Sequence, residues 1–289
     1  MKKENIKKFL LIKARETKEE IFIIELYKNA ETKKDFMDLF SLLLDIVDIS
    51  SSYMVMKILC MTGMEVNSEQ EVYLLLKSFY ENSQEISTLS LLAFLETIKG
   101  VNPVTEYFNL ERDLITHELN PKFCTKRIIS IIEKSSIPHF EPSDQSVNKG
   151  SVFFLKKNID PYLDMFLDEV FALFQISKNQ LLAKTMYTNL SNSLSKMSLW
   201  AVKINPSGSM SSHFHPKGIL SGVTYLDVGN SSGSFVIGSP PSGIRDETSE
   251  KTVKIQPLKL ITFPSYYYHK TLVHKSETMR FSMSFDISD

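Results

Sequence analysis

The stretch HFHPKGILSGVTYLDV, residues 213–228, decides the reading of this chain. Two histidines flank a phenylalanine. A proline and a glycine then mark a turn, and an apolar run follows with the composition of a β-strand. Short runs of the same kind lie on both sides: LWAVKI (199–204), SFVIG (234–238), KTVKIQ (251–256), LKLITF (258–263) and RFSMSFDI (280–287). Strands at roughly 8–12 residue spacing, separated by turn residues, are the signature of a sandwich or barrel. Asn230–Gly233 and Pro240–Gly243 read as loops between them.

Upstream the texture is different. Residues 1 to about 100 hold one helical pattern after another, with apolar residues at helical spacing in Ile21, Ile24, Leu26 and Tyr27, then in Phe36, Leu39, Phe40, Leu43 and Leu44. Thr17 with Glu20, Thr32 with Asp35 and Ser68 with Glu71 read as capping boxes, and Ser51 and Ser87 as plain N-caps. Alternate starts lie 34 to 36 residues apart, the period of helix–turn–helix repeats, and an irregular bundle fits as well. Pro103 and Pro121 break the helices that precede them. The polar run Ser143–Gly150 reads as a loop, and Pro161–Ile176 and Lys178–Ser195 as two more helices. The expected class is α+β: an all-α, repeat-like domain over 1–120, then a β domain with supporting helices over 121–289.

The 289 residues are 43% hydrophobic and 23% charged, enough to bury a core and too apolar for global disorder. Lysine and arginine number 33 against 34 acids, so no basic excess points to nucleic acid. Two cysteines, Cys60 and Cys124, are too few for a disulfide framework or a cysteine zinc site, and fit a reducing cytoplasm. No apolar stretch approaches a membrane span, and Lys13 cuts short the N-terminal run Phe9–Ile12.

Four of the six histidines fall in the β half: His213, His215, His269 and His274. Residues i and i+2 of an extended segment face the same way, so His213 and His215 converge. Neutral imidazole suits iron, copper and zinc. By itself the pair also describes two exposed loop histidines. The rest of the region changes that balance. His269 follows the strand and turn ITFPSYYYH, and Arg280 opens the last strand eleven residues later with Ser282 beyond it.

This constellation resembles the iron(II)/2-oxoglutarate-dependent oxygenases of the double-stranded β-helix (jelly-roll) fold. HFHPKGILSGVTYLDV, GSFVIGSPP and LKLITFPSYYYHKTLVHKSETMRFSMSFDI look like the subfamily with an HxHP…SGVYYL motif, whose members often carry tetratricopeptide-like helices upstream. The resemblance covers about 198–289. It implies a metal site at His213, His215 and His269 holding Fe(II), with dioxygen as co-substrate. It further implies that Arg280 and Ser282 grip the distal carboxylate of 2-oxoglutarate, with Tyr225 as a further donor. One departure stands out: the family's acidic ligand is replaced by His215, and Asp227 and Asp246 lie too far along to fill its place. Three arrangements follow: a neutral three-histidine site, one member of the pair behind the ligands, or loss of metal. The first is our expectation. Because histidine fills the acid's position, hydroxylation or desaturation is expected rather than halogenation.

Other residues read blandly. His274 is a lesser rival ligand, His117 and His139 are surface or linker histidines, and Cys60 and the methionines Met54, Met56, Met61 and Met64 are core. Lys203 is an exposed edge lysine, and some of Tyr266, Tyr267 and Tyr268 shape the entrance. The loops Ser143–Gly150 and Ser239–Glu250 border the pocket. The substrate is expected to be an amino acid or other small molecule, a peptide or a carrier-bound group, with no nucleic acid and no membrane involved. The helical half recognises it or supports assembly, as a homodimer for example. A three-histidine oxygenase without 2-oxoglutarate, and a non-catalytic interaction module, are the competing functions.

Overall fold

The structure, a computed structural model, describes residues 3–48, 50–98, 106–135, 147–182, 196–229, 234–241 and 250–288. It divides into two compact units, Met1–Tyr107 and Phe108–Asp289.

The first unit is helical: α1 (Lys3–Thr17), α2 (Glu20–Asn29), α3 (Lys33–Ile46), α4 (Tyr53–Val66), α5 (Glu69–Ser83) and α6 (Ile86–Thr97). Each helix packs on its chain neighbour, and α1–α3, α2–α4 and α4–α6 also touch. The capping box of α3 forms as expected. The Thr32 hydroxyl accepts from Asp35 N at 3.2 Å, and the Asp35 carboxylate accepts from Thr32 N at 2.9 Å. The same carboxylate takes Lys7 Nζ at 2.7 Å and so ties α1 to α3. Three other starts are corrected. Thr17 closes α1 by donating to Lys13 O and accepts from Glu19 N, and Glu19 precedes α2 without a side-chain cap. Ser52 rather than Ser51 caps α4, and Glu85 precedes α6, so Ser87 lies inside it. Ser68 stands at the start of α5 but makes no side-chain cap. Helix α6 is buried on every side from Thr88 to Thr97, the mark of a central helix. Its Glu96 carboxylate is buried yet satisfied, accepting from the Tyr73 hydroxyl and from the N–H groups of Glu106 and Tyr107. Cys60 is buried in α4, where desolvation raises its thiol pKa.

The second unit holds α7 (Leu110–Asp113), β1 (Ile115–Glu118), α8 (Thr125–Ser135), β2 (Val147–Phe154), α9 (Pro161–Leu182), β3 (Lys196–His213), β4 (Leu220–Asp227), β5 (Phe235–Ile237), β6 (Lys251–Val253), β7 (Lys259–Pro264), β8 (His269–Thr271) and β9 (Arg280–Ser288). The strands join in the order β1-β7-β4-β9-β3-β8-β5-β6, with β2 on β3, and every ladder is antiparallel. The 18-residue β3 makes the sheet curl. Its first half, Lys196–Ile204, pairs with β9, and its end, Met210–His213, pairs with β8. Between them the pairing with β2 slips, and Ser207 takes a positive φ of 63°. The result is the curled antiparallel half-barrel of the double-stranded β-helix.

Alternation along the strands separates core from cavity. Phe281, Met283, Phe285 and Ile287 of β9 point outward with Leu199 and Ala201 into a core closed by α8 and α9. Helix α9 presents Leu163, Phe166, Leu167, Val170 and Phe174, all fully buried, at helical spacing. Each such burial contributes about 1.5–3 kcal/mol. The expected loop at 143–150 is corrected, because Val147–Gly150 already belong to β2. Helix α9 runs unbroken through Ile176 to Leu182, and residues 183–195 of the second expected helix lie outside those described. The loop 230–233, His139 and Asp246 also lie outside them.

Gly222 sits on the outward face of β4, where a Cβ would collide with the Phe174 ring of α9. Gly222→Ala is expected to destabilise the protein by about 1–3 kcal/mol in urea unfolding. Combining it with Phe174→Leu should lose less than the two single effects summed, because the smaller side chain yields the space.

Candidate functional site

Register builds the site. His213 ends β3 and stands directly opposite His269, the first residue of β8. His215 lies in the turn that follows. That turn is pinned by His215 N donating to Ser265 O at 2.9 Å, and by Gly218 N donating to His215 O. The ring centroids lie 4.3 Å apart for His213–His269, 4.9 Å for His215–His269 and 5.2 Å for His213–His215. One nitrogen from each ring lies within 4.8 Å of the other two, close enough to share one metal ion.

The hydrogen bonds assign the nitrogens. His213 Nδ1 meets Ser211 O at 2.8 Å, and His269 Nδ1 meets Tyr267 O at 2.9 Å. A carbonyl only accepts, so each Nδ1 carries the proton. His215 Nδ1 meets Asp286 Oδ1 at 2.7 Å and the Ser221 hydroxyl at 2.9 Å. Beside a carboxylate it too is the donor. Three Nε2 lone pairs are left for a common ion, each ring being oriented from behind. Burial, and then the neighbouring His215, hold the His213 pKa down at about 4. Burial and the two other histidines push that of His269 well below its ordinary value. Both rings are therefore neutral near pH 7, the form that binds metal. This donor set fits iron(II), for which imidazole is a suitable ligand.

A cavity of about 530 Å³ opens beside the histidines and contains Arg280, Tyr225 and Ser282 in its wall. Arg280 is 1% exposed. Its Nη2 donates to Thr271 Oγ1 at 2.8 Å, and its Nη1 has no partner. No carboxylate among the described residues pairs with it. Burial lowers its pKa, with the Tyr225 hydroxyl opposing. The Tyr225 hydroxyl is itself pushed up to about 12 by burial, with the arginine's charge opposing. A desolvated guanidinium with a spare donor is a site that needs an anion.

These observations meet a finding from sequence comparison. Residues 198–286 match the family model "Putative 2OG-Fe(II) oxygenase". The match to this oxygenase family takes in all three histidines, Tyr225, Arg280, Ser282 and Asp286. No curated protein matches the chain. Among solved structures, a prolyl-4-hydroxylase from Pseudomonas putida is 13% identical, with 62% of this chain and 94% of that one covered and a TM-score of 0.45. A prolyl hydroxylase from Trichoplax adhaerens, in complex with a hypoxia inducible factor peptide fragment, is 11% identical, with 72% and 93% covered and a TM-score of 0.44. An oxidoreductase of the 2OG-Fe(II) oxygenase family from Burkholderia pseudomallei is 12% identical, with 62% and 87% covered and a TM-score of 0.40.

The remaining residues singled out in the sequence fall as follows. His274 is buried outside the cluster, with its Nε2 on Thr278 O at 2.6 Å. His117 is no linker residue. It sits on β1 and bonds the Ser177 hydroxyl at 2.7 Å. Tyr266, Tyr267 and Tyr268 are all buried and none lines the cavity. The Tyr267 hydroxyl donates to the buried Asp113 carboxylate. Lys203 turns outward to Glu133 at 2.8 Å. Of the two serine-rich loops, Val147 borders the cavity as part of β2, while 143–146 and 242–249 lie outside the described residues. Asp286, Ser221 and Thr271 went unnoticed in the sequence. No helix of the described residues is long and apolar enough to cross a membrane.

Asp286→Asn keeps the shape behind His215 and removes the charge. Iron(II) affinity is expected to fall about 10–100-fold in equilibrium titration. The unfolding midpoint of metal-free protein should move little, and an unchanged affinity would refute the orienting role.

Proposed function

We propose that the second unit is an iron(II)- and 2-oxoglutarate-dependent oxygenase that hydroxylates or desaturates an organic substrate. The observation that carries this reading is Arg280. A buried guanidinium with an unpartnered Nη1 in the wall of a histidine-lined cavity has no purpose in the apo protein, and its desolvation is costly. A dicarboxylate removes that penalty. An oxygenase whose substrate alone chelates the metal would leave the arginine unpaired.

Strand geometry supports a five-carbon diacid. Thr271, which holds Arg280, and His269 are two residues apart on β8 and share a face. Two residues of strand rise about 6.6 Å, a gap that such a molecule bridges. His213, His215 and His269 would hold the metal through Nε2. Arg280 would bind the distal carboxylate, fixed by Thr271, with the Ser282 and Tyr225 hydroxyls beside it as donors. When bound, iron(II) and 2-oxoglutarate together reduce dioxygen, releasing carbon dioxide and succinate and oxidising one C–H bond. The neutral histidines leave the metal's charge undiminished, which favours the anionic co-substrate. The apolar walls keep water from the reacting atoms. His215, with Asp286 behind it, occupies the place that a halide would need, so hydroxylation or desaturation follows rather than halogenation.

Anaerobic titration of metal-free protein with iron(II) and then 2-oxoglutarate should produce a visible charge-transfer band. His269→Ala should abolish it. Arg280→Ala should weaken 2-oxoglutarate about tenfold to hundredfold or more and leave iron(II) affinity near wild type. Unchanged 2-oxoglutarate affinity in Arg280→Ala would overturn the assignment.

A further inference from the structure

The cavity's inward-facing residues form rows across β9, β3 and β2. Arg280 pairs with Ile204, Ser282 with Val202 and Val152, and Ser284 with Trp200 and Phe154. The first two rows surround the arginine's end. The third row behaves differently. Trp200 stands edge-on to His215, with ring centroids 5.4 Å apart. Its neighbour Phe154 lies on β2, which among the described residues pairs with β3 alone, and is 56% exposed. An aromatic surface therefore runs from the histidine cluster out to solvent.

Charge narrows what this surface accepts. Among the described residues lining the cavity there is no aspartate or glutamate, so nothing there balances an ammonium group. The cations are Arg280 and Lys270. Lys270 is paired with Glu250 at 2.7 Å, and Arg280 is taken by 2-oxoglutarate in the reading above. An unpaired charge drawn into this space would lose its hydration without compensation. We infer that the row Phe154–Trp200–Ser284 is the substrate subsite and that it takes an uncharged, apolar group, aromatic or long aliphatic, rather than a free zwitterionic amino acid. The Ser284 hydroxyl and the Trp200 indole N–H are the hydrogen-bonding groups of that row. This inference rests on the oxygenase reading for its chemistry, but not for its binding.

Trp200 is the only tryptophan in 289 residues, so its emission reports on the subsite alone. The full chain is titrated with N-acetylphenylalaninamide and, separately, with phenylalanine, the same ring carrying both charges. Titrations are run metal-free and with iron(II) and 2-oxoglutarate, exciting at the red edge where only tryptophan absorbs. The neutral compound should shift Trp200 emission to the blue and saturate. Phenylalanine should bind at least tenfold more weakly. Phe154→Ala should weaken the neutral compound about tenfold while the charge-transfer band of the loaded protein stays unchanged. Equal or tighter binding of phenylalanine, no saturable response to the amide, or an unaffected Phe154→Ala would each overturn the inference. Absence of the charge-transfer band with the fluorescence pattern intact would instead refute the oxygenase reading and leave the subsite standing.

Discussion

The alternation of one strand, RFSMSFDIS from Arg280 to Ser288, sets the terms for the rest of the second unit. One face carries Phe281, Met283, Phe285 and Ile287, which are the floor on which α8 and α9 pack. The other carries Arg280, Ser282, Ser284 and Asp286, which line or flank the cavity. Because the period is two, a slip of one residue would drive a guanidinium and a carboxylate into the helical core and four apolar side chains into the site. The hydrophobic effect that anchors α9 therefore also fixes where the arginine and the aspartate point. Stability and site geometry are specified by the same pairing of β9 between β3 and β4.

The same logic governs the histidines. His213 and His269 are brought together by backbone register, and their rings are then turned by carbonyls two residues back in each chain segment. His215 lacks a place in a ladder. It is held by a turn docked on Ser265, and its ring is aimed by Asp286 from the far end of β9. Two of the three imidazoles are thus placed by secondary structure and the third by a side-chain network of Ser221, Ser265 and Asp286. The third is the one for which a change in a neighbouring residue matters most.

Much of this was legible in the sequence, for a physical reason. The six apolar runs from Leu199 to Ile287 each fall on a strand, since short β-rich segments between turn residues have few alternatives. The histidines and Arg280 could be found because their chemistry is rare and their spacing follows strand length. What could not be read are contacts that depend on closure of the sheet. His215 and Asp286 are 71 residues apart in sequence, and Arg280 meets Thr271 only because β8 and β9 flank the same long strand. Strand β2 was hidden because its first half, VNKG, has loop composition and is strand only by pairing with β3. Helix α8 is different. Its stripe Ile128, Ile129 and Ile132 has helical spacing, but the segment is short and Pro121 and Pro138 on either side obscure it.

Asp286 also bears on the apparent loss of the acidic ligand. A carboxylate is nevertheless present: Asp286 stands behind the imidazole, one hydrogen bond from His215 Nδ1. As a metal ligand, His215 would be strengthened at Nε2 by this contact, which polarises its Nδ1–H while Asp286 itself takes no ligand position. In the proposed reading the charges then close. The two positive charges of iron(II) and the one of Arg280 meet the two negative charges of 2-oxoglutarate and the one of Asp286. A site neutral in this way has no electrostatic demand left for the substrate to satisfy. The remaining wall follows suit: Trp200 stands beside His215 and Phe154 pairs with Trp200, so in this reading selectivity comes from shape and burial rather than from ion pairing.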